Sequence, residues 1–410
     1  MSSFYDFGID DSILDGIEAM GYESPTPIQE QTIPITIQGK DIIACAQTGT
    51  GKTAAYLLPV MHRIINNARR SGVSALIIAP TRELAIQIDQ AVTGFAYYSG
   101  ISSIAVYGGG SGETFEQEKR ALSTDTDVVI ATPGRLLSHL NLGYVKLNHL
   151  STLILDEADR MLDMGFYEDI MRIVRHLPQQ RQTLMFSATM PPRIRQLAKQ
   201  ILREPAEVNI SISKPAEKIK QLAFCVYDTQ KVALLQQLLT AGEYISTIIF
   251  SSTKQNVKEI ERSLKKLNLS VSAIHSDLEQ QEREEVLRNF RNRSVKILVA
   301  TDVLSRGIDI ENISLVVNFD VPADGEDYVH RVGRTARAEN SGEAITFINP
   351  DDMRKFGAIE NLIGYEIEKG TVPAELGETP AYTGNLERPK HQGKKKFFKK
   401  RKPKTGKSNA

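Results

Sequence analysis

Asp156 and Glu157 stand side by side in the run LILDEAD (153–159), where three apolar residues lead into two carboxylates. Such a run reads as a buried strand with acids at its C-terminal tip. Asp156 there would hold Mg²⁺, largely through water, because Mg²⁺ gives up its hydration reluctantly. Glu157 would orient or deprotonate an attacking water. Paired acids at a strand end are also often plain solvated loop residues, so their meaning depends on what else the chain supplies. It supplies ACAQTGTGKTAAY (44–56), an apolar run feeding a loop of small residues that ends in Gly51-Lys52-Thr53. Backbone N–H groups of Ala46, Gln47, Thr48, Gly49, Thr50 and Gly51 would face one concavity and hold the oxygens of a triphosphate. Lys52 adds a mobile cation for the outer phosphates, and the Thr53 hydroxyl can complete Mg²⁺ coordination. A third group lies far along the chain in HRVGRTAR (330–337), where Arg334 and Arg337 are three apart and would share one side of a helical turn. A guanidinium aimed at a γ-phosphate is worth roughly 10³–10⁵ in rate; elsewhere, arginine pairs more often make surface ion pairs.

These groups need elements to position them. Short apolar runs alternate with amphipathic segments: DIIAC at 41, ALIIAP at 75, SSIAVY at 102, DVVIATP at 127, LILDEAD at 153 and TLMFSAT at 183. The rhythm restarts with QLAFCVY at 221, followed by STIIFSST, SVSAIHSD, VKILVATD, SLVVNFD and EAITFIN. Apolar runs of this kind predict parallel strands covered by helices on both faces. The chain therefore reads as two α/β domains, 1–207 and 208–375, joined through the polar, proline-containing EPAEVNISISKPAEKIK, with a tail from 376 to 410. The second unit varies the first, and its corresponding strand exits into FSSTKQNV with no GKT. One nucleotide site would then serve two domains, in the cleft between the carboxyl ends of their strands.

Composition narrows the class. No run of eighteen apolar residues suggests a membrane span, and MSSFYDFGIDD lacks the basic and apolar regions of a secretion leader. Cys45 and Cys225 lie in different apolar runs, which argues against a disulfide framework or a zinc site and fits a reducing cytoplasm. Cys45 beside the loop reads as a small buried residue. The 50 basic and 50 acidic residues cancel, yet the charge is segregated: 390–410 holds ten Lys or Arg and no acid, leaving 40 against 50, about −10, on the body. A cationic tail on an acidic body points to a polyanionic partner, nucleic acid before membrane. Within that tail, GKKKFFKKRKPK offers Phe397 and Phe398 for base stacking; a solubilising end and a nuclear localisation signal are the other readings.

With these runs in place the chain resembles the DEAD-box ATP-dependent RNA helicases, in motif order from about residue 4 to 370. GYESPTPIQ (21–29), preceded by Phe4, is similar to the family's adenine-reading motif. AQTGTGKT, PTRELA (80–85), TPGR (132–135), DEAD and SAT (187–189) follow. Then come IIFSST, the Gln280/Arg283 pair, ATDVLSRGIDI (300–310) and HRVGRTAR. The resemblance implies two tandem RecA-like domains, ATP and Mg²⁺ as cofactors, and RNA held without regard to sequence. It implies that Gln29 reads the adenine edge, that Tyr22 and Phe4 pack on the base, and that Asp309 touches the ribose. Pro80, Thr81, Arg82, Gly109, Thr132, Gly134 and Arg135 would grip RNA from the first domain, and Arg283 and Thr301 from the second. Ser187, Thr189, Asp159 and His330 would couple ATP state to domain closure. Small loops presenting N–H groups and hydroxyls suit phosphates and 2′-OH groups. Ser276 and Ala336 replace glycines usual in the family, and neither removes a catalytic side chain. The compact body and short basic tail resemble the bacterial RhlE-type branch, whose partners would be ribosomal or RNA-decay proteins. A silent RNA-binding scaffold and a DNA translocase are the competing readings.

Overall fold

The computed structural model describes residues 2–46, 49–67, 72–109, 112–124, 126–210, 219–242, 244–301, 313–323, 325–335 and 342–384. The first domain carries β1 (Ile42–Cys45), β2 (Ala75–Ile78), β3 (Ser103–Val106), β4 (Val128–Ala131), β5 (Thr152–Leu155), β6 (Gln182–Ser187) and β7 (Ala206–Asn209). Its helices are α1 (Asp11–Ala19), α2 (Pro27–Ile37), α3 (Lys52–Ile65), α4 (Arg82–Phe95), α5 (Gly112–Ser123), α6 (Pro133–Asn141), α7 (Ala158–Asp163), α8 (Tyr167–Arg175) and α9 (Pro192–Ile201). The second carries β8 (Lys220–Cys225), β9 (Thr247–Ser251), β10 (Val271–Ile274), β11 (Ile297–Thr301), β12 (Leu315–Asn318), β13 (Glu343–Ile348) and β14 (Glu368–Lys369). Its described helices are α10 (Asp228–Ala241), α11 (Lys254–Lys265), α12 (Gln280–Arg291), α13 (Gly325–Val332) and α14 (Met353–Ile363).

Each domain is one seven-stranded sheet, all strand pairs parallel, with strand orders β3-β4-β2-β5-β6-β1-β7 and β10-β11-β9-β12-β13-β8-β14. The apolar runs become strands because both faces need covering. In β6, Leu184 and Phe186 point into one core, and Met185 between them points into the other. β9 splits likewise, Ile249 to one side and Ile248 and Phe250 to the other. Each such side chain, fully buried, contributes about 1.5–3 kcal/mol, and the strand ends are left for chemistry.

The two sheets have the same order, so the domains are two copies of one topology, as the sequence rhythm suggests. The topology corrects one correspondence. The counterpart of the loop-bearing β1 is β8, which exits into Val226-Tyr227 and α10, whereas FSST lies at the tip of β9, the counterpart of β2. Two boundaries also move. The start of the expected linker is β7, an edge strand paired with β1 from Ala206 to Asn209, so the first sheet runs past 207. Residues 376–384, expected to open the tail, instead lie on the second domain. Gln230 donates to Leu376 O (2.7 Å) and Glu378 O (3.0 Å), and the Tyr382 hydroxyl donates to Glu360 (2.6 Å).

Candidate nucleotide and RNA site

The first-domain motifs from the phosphate loop onward lie at the carboxyl tips of strands, whereas GYESPTPIQ leads into α2. From β1 the chain passes to Ala46, whose N–H donates to Ser187 O (3.0 Å) and whose carbonyl accepts from Lys52 Nζ (2.9 Å). Lys52, buried at the start of α3, thus closes the loop on itself. Gly51 sits at φ 88°, and a Cβ there would lie 2.4 Å from Gln29 Nε2, so only glycine fits. Gln29 is fully buried; it donates to Gly51 O (3.0 Å) and accepts from Thr26 N (2.9 Å), fastening the start of α2 to the loop. Phe4 is buried with its ring edge-on to Tyr22 at 6.4 Å, and Tyr22, 37% exposed, meets Phe95 at 5.4 Å. Tyr22 therefore keeps an open face while Phe4 is part of the core. Cys45 is half-buried rather than buried, and its thiol donates to Ala188 O (3.2 Å).

At the tip of β5 the two carboxylates differ. Asp156 Oδ2 accepts the Tyr56 hydroxyl (2.9 Å), and Oδ1 accepts Glu157 N (2.9 Å). Burial pushes the Asp156 carboxyl up to about 6, against the pull of Lys52. Tyr56 is also hydrogen-bonded to Thr53, and burial beside Asp156 keeps its phenol protonated. Glu157 takes φ 51°, a left-handed conformation that costs of order 1–3 kcal/mol outside glycine. Burial alone would raise it; Arg160, whose guanidinium donates to its Oε2 (3.2 Å), and Lys52 bring it below the usual range, with His330 of the second domain adding to the pull. Asp159 reaches across to β6: its Oδ2 accepts Ala188 N (3.0 Å) and Thr189 N (2.9 Å), and its own N–H donates to Ser187 Oγ (3.3 Å).

The groups expected at RNA line the neighbouring tips. Beyond Pro80, Thr81 caps α4 by accepting Leu84 N (3.3 Å), and the Arg82 guanidinium lies over Gly109. Gly109 has φ 89°, and a Cβ there would meet Arg82 Nη1 at 2.1 Å. Thr132 precedes α6, and a Cβ on Gly134 would meet nothing within 4 Å. Arg135 Nε and Nη2 both reach Glu118 Oε2 at 2.7 Å. In the second domain Arg283 donates to Ser276 O (3.1 Å), and Thr301 ends β11. His330 lies on α13, and Arg334 falls in the one-turn 3₁₀ helix Gly333–Thr335. Gln47, Thr48, Asp309, Arg337, Phe397 and Phe398 lie outside the described residues. The two edges sense each other: Tyr107 is raised by burial and then by Glu284 of the second domain.

Residue types alone did not single out Tyr56, Arg160 or Glu118. Tyr56 had one signal: it is four residues after Lys52, on the same helical face, a polar-tipped ring in an apolar run. The donor set of Thr53, Tyr56 and Asp156 is all oxygen, which fits a hard cation such as Mg²⁺. Among the described residues no three of His, Cys, Asp and Glu form a metal cage. A cation held there would draw its remaining ligands from phosphate and water. Among the described residues no helix is long and apolar enough to cross a membrane.

Comparison with known proteins agrees. Residues 26–197 match the DEAD/DEAH box helicase family, and 230–339 match the helicase conserved C-terminal domain. The chain is 41% identical over 374 residues to the DEAD-box ATP-dependent RNA helicase CshA of Geobacillus kaustophilus, covering 91% of this chain and 79% of the relative. It is 44% identical over 361 residues to CshA of Listeria monocytogenes, covering 88% and 68%. Its fold superimposes on Saccharomyces cerevisiae Dbp5 bound to RNA and ADP BeF3 with a TM-score of 0.81 at 32% identity, covering 90% of this chain and 96% of that one. With two RecA-like sheets in tandem and a phosphate loop on the first, the chain belongs to the DEAD-box ATP-dependent RNA helicases, RNA-dependent ATPases.

Proposed function

We propose that ATP binding closes the two domains on single-stranded RNA, melting a short duplex locally, and that hydrolysis reopens the cleft. The observation that carries this reading is the Asp159 bridge. One carboxylate two residues from Glu157 holds the backbone of Ala188 and Thr189, while Ala46 of the loop is hydrogen-bonded to Ser187. Occupancy of the loop can therefore move the 187–189 segment directly. Base-pair steps cost about 1.4 kcal/mol, so a few pairs are within reach of one binding event and long duplexes are not.

In this reading Gln29 meets the adenine and Tyr22 stacks on it with Phe4 behind. The loop from Ala46 to Gly51 and Lys52 hold the phosphates, and Asp309 meets the ribose. Thr53 and Asp156 would hold Mg²⁺, which supplies charge neutralisation at the β- and γ-phosphates. Glu157, held ionised and weakly basic by Arg160, suits orienting the water better than deprotonating it. Arg334 and Arg337 offer guanidinium groups to the γ-phosphate, and His330 ties Glu157 to the second domain. Pro80, Thr81, Arg82, Gly109, Thr132, Gly134 and Arg135, with Arg283 and Thr301, hold the RNA backbone. A cytoplasmic role in ribosome assembly, RNA remodelling or decay fits this chemistry. The compact body with a short basic tail supports an RhlE-type member.

Steady-state ATP hydrolysis without nucleic acid, with single-stranded RNA and with DNA of the same sequence, using Glu157→Gln as control, tests the reading. Strong stimulation by RNA alone, lost in the variant, is expected. Equal stimulation by DNA would favour a translocase, and RNA binding with no turnover would leave a scaffold.

A further inference from the structure

Glu118 has no part in the nucleotide chemistry, yet it is 2% exposed and fully engaged. Its Oε2 accepts hydrogen bonds from Arg135 Nε at 2.7 Å and His139 Nε2 at 2.9 Å and has Arg135 Nη2 in ion-pair range at 2.7 Å, while Oε1 accepts Tyr107 N at 3.2 Å. His139 is fully buried and its Nδ1 meets the Tyr144 hydroxyl, so the tautomer with hydrogen on Nε2 satisfies both contacts. Phe115, one turn before Glu118 on α5, stacks on the His139 ring at 4.6 Å and lies 4.8 Å from the Arg135 guanidinium carbon. Arg135 and His139 are four apart on α6, so one helical face carries both partners. A single carboxylate thus joins the tip of β3, which leads to Gly109, with α5 and with the TPGR helix α6.

We propose that Glu118 is a positioning residue for RNA binding: it fixes the Arg135 guanidinium and the Gly109 segment in one arrangement before RNA arrives. This rests on the reading of Arg135 as an RNA-backbone contact. An arginine presents five N–H donors, and the clamp engages the one on Nε, leaving donors for a phosphate. Holding a rotamer-rich side chain in advance spares its ordering on binding. The carboxylate also offsets the arginine charge, so the two effects oppose each other, and the burial and three hydrogen bonds of Glu118 favour positioning.

The test is a double-mutant cycle of Glu118→Gln and Arg135→Ala in the full chain. It reads the RNA concentration for half-maximal ATPase stimulation, the maximal rate, and the salt dependence of RNA binding. Glu118→Gln keeps the shape and removes the charge, and a thermal melt confirms that it folds. Arg135→Ala is expected to raise the half-saturating RNA concentration by ~10-fold, as loss of one charge-assisted contact would. Glu118→Gln is expected to raise it ~3-fold with the maximal rate unchanged, and to add nothing in the Arg135→Ala background. The salt slope should drop by ~0.7 in Arg135→Ala, one phosphate's worth. Tighter RNA binding by Glu118→Gln would overturn the proposal by showing that the carboxylate competes with phosphate. Additive effects would overturn it by showing a role apart from Arg135. No effect of Arg135→Ala would instead remove Arg135 from the RNA contacts and leave the rest of the proposed function standing.

Discussion

Tyr56→Phe should move the acid limb of ATP hydrolysis upward. The Tyr56 hydroxyl donates to Asp156 Oδ2 at 2.9 Å inside a fully buried pair. Burial has already pushed the Asp156 carboxyl up to about 6, and the tyrosine is among the groups holding it down, after Lys52. A hydrogen bond to a charged acceptor contributes about 1.5–3 kcal/mol, which at about 1.36 kcal/mol per pK unit is roughly 1–2 units. The variant's midpoint should then lie at about 7–8 by the same conversion. On the proposed role of Asp156 in holding Mg²⁺, cation binding needs the ionised carboxylate, so activity falls as pH drops through that midpoint and a raised midpoint extends the loss toward neutrality. The assay is kcat/KM for ATP at saturating RNA across pH, because that ratio reports groups of the free enzyme. At neutral pH the variant should be slower by roughly 2–10-fold, the change in ionised fraction for a shift of that size, and it should approach wild type in mild alkali. A uniform loss at every pH, with the limb still at about 6, would refute the claim that this bond sets the ionisation of Asp156.

Asp159→Ala removes the acceptor of two backbone bonds, about 1.5–3 kcal/mol. Short-duplex separation should fall at least ~10-fold more than RNA-stimulated ATP turnover; an equal fall in both would sever the bridge from coupling. Gly109→Ala forces a side chain into φ 89° and against Arg82. The half-saturating RNA concentration should rise several-fold with RNA-free turnover unchanged, and an unchanged value would remove that contact from RNA binding. In the second domain, Lys231 is 1% exposed and pairs with Asp320 at 3.0 Å. Burial would raise Asp320, but Lys231 and the Ser251 and Ser252 bonds hold it below the usual carboxylate range. Its contribution is therefore present above the unfolded aspartate value near ~3.9 and lost as pH falls below it. Lys231 keeps Asp228 at 2.9 Å, so Asp320→Asn should cost about 2 kcal/mol at neutral pH, roughly a 6 °C drop in Tm, and the gap to wild type should close in acid. A gap independent of pH would show that charge is not its source.

The strands of both sheets that read as apolar runs were legible because burial on both faces writes itself into consecutive residues. β7 was not, since Ala206-Glu207-Val208-Asn209 is an edge strand with only Val208 fully buried, and it looked like linker. β14 is two residues long and carries no pattern. The loop, the paired acids and the arginines were visible as local spacings. Tyr56–Asp156 is separated by 100 residues, and Glu118–Arg135 joins two helices through a buried carboxylate; neither leaves a periodic trace. The packing of 376–384 was hidden for a similar reason: it depends on Gln230 and Glu360, far earlier in the chain.

On the proposed function, the repeated topology explains why one nucleotide site can serve an RNA grip built from two halves. Register makes the halves comparable residue by residue. Ile78 pairs with Ala131 in the first sheet and Phe250 with Ala300 in the second. This places Thr132 opposite Thr301, and Thr81 opposite Thr253, which caps α11 by accepting Asn256 N (3.1 Å) as Thr81 caps α4. The same register sets Cys45 against Cys225, and Ala46 against Val226, whose N–H donates to Ile348 O (2.9 Å) as that of Ala46 does to Ser187 O. Beyond that point the halves part: one continues into the glycine loop and Lys52, the other into Tyr227 and the ordinary start of α10. RNA presents a repeating phosphate backbone, which two copies of one threonine-capped strand tip can hold at successive positions. A triphosphate is a single ligand, and one loop suffices. On the proposed function the nucleotide adheres to one copy only, and the second copy meets it through His330 and Arg334, of which His330 already adds to the pull on Glu157. On that proposal closure depends on both ligands.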